Sequence, residues 1–161
     1  QGWCVPASMG AKLGKPDREV VGICGDGDFL MTCQELATAV QYNIPVIYFV
    51  LNNYGWISIR DLQIVHFGAE RKYGTSFMDF KSGELYNPDF VKLAESYGAK
   101  GISVMNREDV QAAFEEARKN TKGPTLIEFI IDPEEMVYPM IKPGGTLAVS
   151  YTNIRAHETL R

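Results

Sequence analysis

Two short, almost uninterrupted apolar runs set the strongest limit on how this chain folds. Val20-Val21-Gly22-Ile23-Cys24 and Val46-Ile47-Tyr48-Phe49-Val50-Leu51 show no polar alternation. Each therefore suits a strand buried on both faces of a parallel sheet. Roughly 25 residues separate the ends of the two runs, enough for a helical crossover between parallel neighbours. The remaining pattern agrees. Residues 5–13 are small and apolar, fit for a packed helix, and Pro16-Asp17-Arg18 is a turn signal. Residues 35–42 place Leu36, Ala39 and Val40 on one helical face. Asn87-Pro88 opens another helix, with Pro88 in its first position, Phe90, Leu93, Ala94 and Tyr97 along one face, and Gly98 as its stop. Ile102-Ser103-Val104 reads as a strand. Asn106 is expected to cap a helix to about residue 120 with Asp109 as acidic partner, and residues 126–131 form a further strand. The expected fold class is α/β, a doubly wound, mostly parallel sheet with helices on both faces.

Two stretches fall outside that rhythm. Residues 57–83 mix polar, aromatic and glycine positions, and a loop-rich or mobile segment is expected there. After Pro133 the chain is rich in proline and glycine and reads as a tail wrapping a surface. No internal repeat or domain boundary interrupts residues 1–145, taken as one domain, with 146–161 as a C-terminal tail.

Composition removes several classes of function. The 161 residues are 45% hydrophobic and 22% charged, ordinary values for a chain with one real core. A net charge of −4 with no Lys/Arg cluster argues against a nucleic-acid surface. A bound anion would then be held by local backbone amides or a metal. No apolar stretch approaches the roughly 20 residues that span a bilayer, so no membrane partner is expected. Cys4, Cys24 and Cys33 are odd in number and lack C-x-x-C spacing. This speaks against a disulfide framework or zinc site and for a reducing, cytoplasmic compartment. Cys24, inside an apolar run, reads as a small buried hydrophobe. The chain opens at Gln1-Gly2-Trp3 without an initiator methionine, and a fragment of a larger polypeptide is expected.

Ligands of such sheets bind beyond the carboxyl ends of the strands, and both apolar runs end in unusual polar sequences. The first is Gly25-Asp26-Gly27-Asp28-Phe29 and the second Asn52-Asn53-Tyr54-Gly55-Trp56. Gly25 and Gly27 let backbone amides come close to a phosphate, and a helix following the loop would point its positive end at the same place. Asp26 offers a hard carboxylate oxygen, Asn53 an amide oxygen, and a turn at Gly55 a backbone carbonyl. One carboxylate, one amide and one carbonyl leave positions open for phosphate oxygens and water, which is how octahedral magnesium is usually held. A lone Gly-Asp-Gly is most often just a turn, and so is Asn-Asn. The pair, 27 positions apart from Asp26 to Asn53 and each ending a buried strand, is far more specific.

At this spacing the sequence resembles the thiamine diphosphate-dependent decarboxylase and carboligase superfamily, in particular the C-terminal cofactor-binding domain of its acetolactate synthase branch. The similarity extends through Gly2-Trp3-Cys4-Val5-Pro6-Ala7-Ser8-Met9-Gly10-Ala11, Lys15-Pro16-Asp17 and Gln34-Glu35-Leu36-Ala37-Thr38-Ala39-Val40. It continues in Asn87-Pro88-Asp89-Phe90-Val91-Lys92-Leu93-Ala94, Lys122-Gly123-Pro124 and Val137-Tyr138-Pro139-Met140. The resemblance implies thiamine diphosphate and Mg2+ as cofactors, with Asp26, Asn53 and the Gly55 carbonyl on the metal. It implies amides around Gly25, Gly27 and Asp28 on the diphosphate, and Gln1 and Trp56 beside the cofactor. A lyase or transferase acting on 2-oxo acids or related diketones would follow. The glutamate that activates the cofactor lies on another domain in this family and has no counterpart here, so no catalytic acid or base is assigned. The remaining domains or subunits, in a homo-oligomer, are the implied partners.

Three positions depart from the family pattern. Gln1 stands where a bulky apolar residue supports the bent cofactor, and Asp28 replaces a small residue. Ile59 occupies the place of the glutamate that simple pyruvate decarboxylases carry six residues after the metal-binding asparagine, which speaks against that activity. Trp56 reads as pocket wall or core aromatic. Arg60 reads as a solvated helix charge or, less often, a clamp for a substrate carboxylate. His66 and His157 read as surface residues. Two alternatives stay open: the β-type subunit of a 2-oxoacid oxidoreductase, against which the scattered cysteines argue, and a non-catalytic cofactor-binding module.

Overall fold

In the computed structural model, residues 1–135 are described, together with the backbone of 140–141 and 150–151. The elements run α1 (Cys4–Gly14), β1 (Val21–Gly25), α2 (Asp26–Leu30), α3 (Glu35–Gln41), β2 (Ile47–Asn52), α4 (Ile57–Phe67), α5 (Phe90–Ser96), β3 (Lys100–Val104), α6 (Val110–Arg118) and β4 (Thr125–Ile130). Met140–Ile141 and Ser150–Tyr151 (β5 and β6) pair antiparallel. The two apolar runs are β1 and β2, side by side and parallel, with Val21 opposite Ile47 and Gly25 opposite Leu51. The sheet order is β1-β2-β4-β3, every pair parallel. Its polar strand ends therefore share one edge of the sheet.

Helices cover both faces, as the doubly wound reading requires. One face packs Val5, Met9, Phe29, Leu36, Ala39, Phe90 and Ala94 against Val46, Tyr48, Val50 and Leu126. The other sets Ala113 and Ala117 of α6 against Ile47, Val104 and Ile127. Helix α1 lies so close over β1 that a Cβ added at Gly22 would stand 2.4 Å from Ser8 Oγ. Gly101 similarly lets β3 meet the Val91 backbone. Among the described residues, no helix is long and apolar enough to cross a membrane.

Several local expectations need correction. The helix after Asn87-Pro88 begins at Phe90, capped by Asp89, whose carboxylate accepts the Lys92 amide at 3.0 Å. Asn87 is unavailable as a cap because its side chain is used elsewhere. Asn106 makes no side-chain cap; it donates to Asp109 Oδ2 at 3.2 Å, and Arg107–Asp109 form a 3-10 turn before α6. Residues 57–67, expected to be irregular, form the helix α4. The segment beyond it is irregular, tied by Gly55 bridging Ser76 and Met78 bridging Leu85. His66 is exposed. His157 and most of the stretch read as a wrapping tail lie outside the described residues.

Candidate functional site

The first motif is helical rather than a loop before a helix. Gly25 is the N-cap of α2, with ordinary extended backbone, and Asp26 is its first residue. The carboxylate of Asp26 is fully buried. Its Oδ1 accepts the Gly27 amide at 2.9 Å. Its Oδ2 accepts the Gly55 amide at 3.0 Å and Asn87 Nδ2 at 2.6 Å. The ends of β1 and β2 are thus joined through this one side chain. Burial pushes the Asp26 carboxyl above its ordinary value, and bonds from Asn87 and the Gly27, Gly55 and Tyr54 amides offset this only in part. Among the described residues, no lysine or arginine forms an ion pair with it.

Asn52 and Asn53 divide the second motif between them. Asn52, the last residue of β2, is buried and turned into the protein. Its Oδ1 accepts Asn87 Nδ2 at 2.7 Å and the Tyr54 amide at 3.2 Å, while its Nδ2 donates to Glu128 Oε1 at 2.7 Å. Ser103 Oγ donates to Glu128 Oε2 at 3.2 Å. A polar chain therefore crosses the sheet from Ser103 on β3, through Glu128 on β4, Asn52 on β2 and Asn87, to Asp26. The Asn53 side chain is half-buried and makes no hydrogen bond among the described residues. The Gly55 carbonyl likewise accepts no backbone bond among them.

The other predicted site residues surround this pair. A Cβ at Gly55 would stand 2.2 Å from the Thr75 carbonyl, so only glycine fits there. The Trp56 indole packs on Gly27, where a Cβ would lie 2.9 Å from the ring, and meets Phe77 edge-on at 6.0 Å. The Gly27 amide, expected to be free for a phosphate, is engaged by Asp26. The Asp28 amide, in the first turn of α2, has no intrahelical partner. The Asp28 carboxylate is turned to the Gly2 amide, which fastens residues 1–2 against α2. Gln1 is exposed.

Arg60 is neither solvated nor open. It is buried, donates from Nη1 to Glu134 at 3.1 Å and from Nη2 to the Pro133 carbonyl, and lies 3.8 Å from the buried Asp61. Desolvation pushes the Asp61 carboxyl up, with the Arg60 charge opposing. Sequence reading also missed Asn87, Asn52 and Glu128 as parts of the site. The available signal was Glu128 itself, a lone charge in the strand run Leu126-Ile127-Glu128-Phe129.

A parallel α/β sheet thus gathers a buried carboxylate, an amide and a carbonyl at two adjacent strand ends. The chain belongs to the family described as thiamine pyrophosphate enzyme, C-terminal TPP binding domain, which it matches over residues 1–129. It is 38% identical over 160 residues to a probable acetolactate synthase large subunit of Methanocaldococcus jannaschii, covering 99% of this chain and 25% of that protein. It is 39% identical over 145 residues to an acetolactate synthase large subunit of Corynebacterium glutamicum, covering 90% and 22%. A solved structure, the thiamine diphosphate-dependent 4-hydroxybenzoylformate decarboxylase of Rhodococcus jostii RHA1, superposes with a TM-score of 0.68 at 35% identity, over 84% of this chain and 24% of the other. The chain thus spans about a quarter of the length of these relatives.

Proposed function

We propose that this domain holds Mg2+ and the diphosphate of thiamine diphosphate at the carboxyl ends of β1 and β2, within an acetolactate synthase-like enzyme that makes or breaks carbon–carbon bonds of 2-oxo acids or related diketones. The observation that carries the reading is Asp26. A fully buried carboxylate without a cationic partner costs several kcal/mol when ionised, and a divalent cation removes that cost. Asp26, Asn53 Oδ1 and the Gly55 carbonyl supply three hard oxygen donors, a set suited to Mg2+ with phosphate and water completing it. The chain's other residues have supporting parts: Gly25 and Asp28 bring backbone amides to the diphosphate, Gly27 leaves room for Trp56 while its own amide holds Asp26, Trp56 braces α2, and Gln1 lies beside the cofactor. When bound, thiamine diphosphate supplies the electron sink that such chemistry needs.

No residue of this chain is assigned as acid or base; the activating glutamate belongs, in this reading, to another domain or subunit. Exposed apolar side chains agree with further partners: Ile23 of β1 and Leu62, Val65 and Phe67 of α4 are 43% to 63% exposed. A homo-oligomer in a cytoplasmic compartment completes the proposal.

Calorimetric titration of thiamine diphosphate with and without Mg2+, on wild type and Asp26→Asn, tests it. Magnesium-dependent binding that disappears in the variant is expected. Binding indifferent to Mg2+, or a folded variant that binds like wild type, would overturn the metal assignment.

A further inference from the structure

The helix α1 and the strand β1 have matching periodicities where they touch. Cys4 and Ser8 are one helical turn apart, and Gly22 and Cys24 share one face of the strand. The close approach at Gly22 seats Ser8 over that glycine and brings Cys4 over Cys24. A Cβ at Gly22 would also meet Cys4 Sγ at 3.1 Å, and Cys4 Sγ contacts the Ile23 carbonyl at 3.5 Å. The sulfurs of Cys4 and Cys24 and an Asp28 carboxylate oxygen all lie within 4.8 Å of one another. All three cysteines are free thiols. Cys4 is half-buried and reachable from solvent, whereas Cys24 is 7% exposed.

From this juxtaposition we infer that Cys4 and Cys24 form a peroxide-responsive thiol pair, in which Cys4 is the site of oxidation and Cys24 resolves it into a disulfide. The accessible sulfur meets the oxidant, and the buried one waits beside it, the arrangement that favours reversible oxidation over irreversible oxidation. The step balances with hydrogen peroxide as the oxidant. The Cys4 thiolate attacks one peroxide oxygen, the O–O bond breaks and hydroxide leaves, giving a sulfenic acid. The Cys24 sulfur then attacks Cys4 Sγ, the S–O bond breaks, and water leaves with the Cys24 proton. Two thiols are oxidised, and one peroxide is reduced to two waters. A disulfide needs the sulfurs at about 2.05 Å, so the proposed link requires the two side chains to close in from their present separation of up to 4.8 Å. The cross-link would fasten α1 to the strand that leads into Asp26. Any effect on cofactor binding rests on the proposed function, but the cross-link does not.

The test is peptide mass spectrometry of the full chain after one equivalent of hydrogen peroxide, with remaining thiols alkylated and Cys33 as internal reference. A Cys4–Cys24 linked peptide that dithiothreitol reverses, with Cys33 still open to alkylation, is the expected result. In Cys24→Ser, dimedone should label Cys4. Cys4 passing to sulfinic acid without the link, or Cys33 oxidised as fast as Cys4, would overturn the inference on wild type alone.

Discussion

At the scale of single residues, the glycines of the first motif separate into two kinds. Gly27 is required by the protein itself, because the Trp56 ring fills the space a side chain would take. Gly27→Ala must displace an indole already held edge-on by Phe77, and a loss of about 1–3 kcal/mol is expected in urea denaturation. Gly25 has no such reason. A Cβ there meets nothing within 4 Å, and its φ of −78° suits any residue. Gly25→Ala should therefore change stability by less than about 0.5 kcal/mol while weakening thiamine diphosphate binding in calorimetry. Unchanged binding would remove Gly25 from the cofactor site. Asn87 presents the opposite case, a site residue that the local sequence disguised. Its one amide group bonds both Asp26 and Asn52, so Asn87→Ala leaves two buried acceptors short of a donor. A loss of about 1–3 kcal/mol, together with weaker magnesium-dependent binding, is expected. Asp26, Asn53 and Gly55 could be nominated from residue type and spacing alone, and the structure sets all three at the ends of β1 and β2. Asn87 could not be, because its partners are 61 and 35 positions away, and an Asn-Pro-Asp string looks like a helix start.

Among the elements, the strands were legible and one helix was not. Apolar runs announce buried parallel strands regardless of what packs on them, so β1 and β2 fell within a residue of their expected bounds. Helix α4 hides because its buried face includes two charges, Arg60, whose partners Pro133 and Glu134 come from a distant part of the chain, and Asp61 beside it. Its exposed face carries Ile59, Leu62, Val65 and Phe67, so the usual sense of the amphipathic pattern is lost. Helix α6 is tied to β3 by Glu116, which bonds Lys100 and, at 2.9 Å, Lys119. The Lys100 bond above all, then Lys119, holds the Glu116 carboxyl down at about 2. A carboxyl held below its ordinary value contributes stability above that value, and the contribution is lost as pH falls through about 2. Glu116→Gln should thus lower the melting temperature slightly at pH 7, the difference from wild type shrinking below pH 4.5 and vanishing near pH 2. A difference that stays constant with pH would assign the effect to packing.

For the molecule as a whole, the sheet order β1-β2-β4-β3 gathers the site. It puts β1 and β2 together so that Asp26 can accept the Gly55 amide, and it brings β4 beside β2 so that Glu128 can hold Asn52. The fold class could be derived from alternation alone. The strand order could not, because nothing local in residues 100–130 shows that the later strand inserts beside β2.

That insertion has a consequence for how the chain is made. Strand β2 pairs with β1 on one side, but its other edge waits for β4, which leaves the ribosome about 70 residues later, several seconds at ordinary elongation rates. During that interval Ile47–Asn52 presents an open row of amides and carbonyls on a strand with almost no charge to protect it. Until Glu128 arrives, Asn52 also lacks the partner of its amide group. The strand that leads into Asn53 and Gly55 is thus, for that interval, an open template for mispairing.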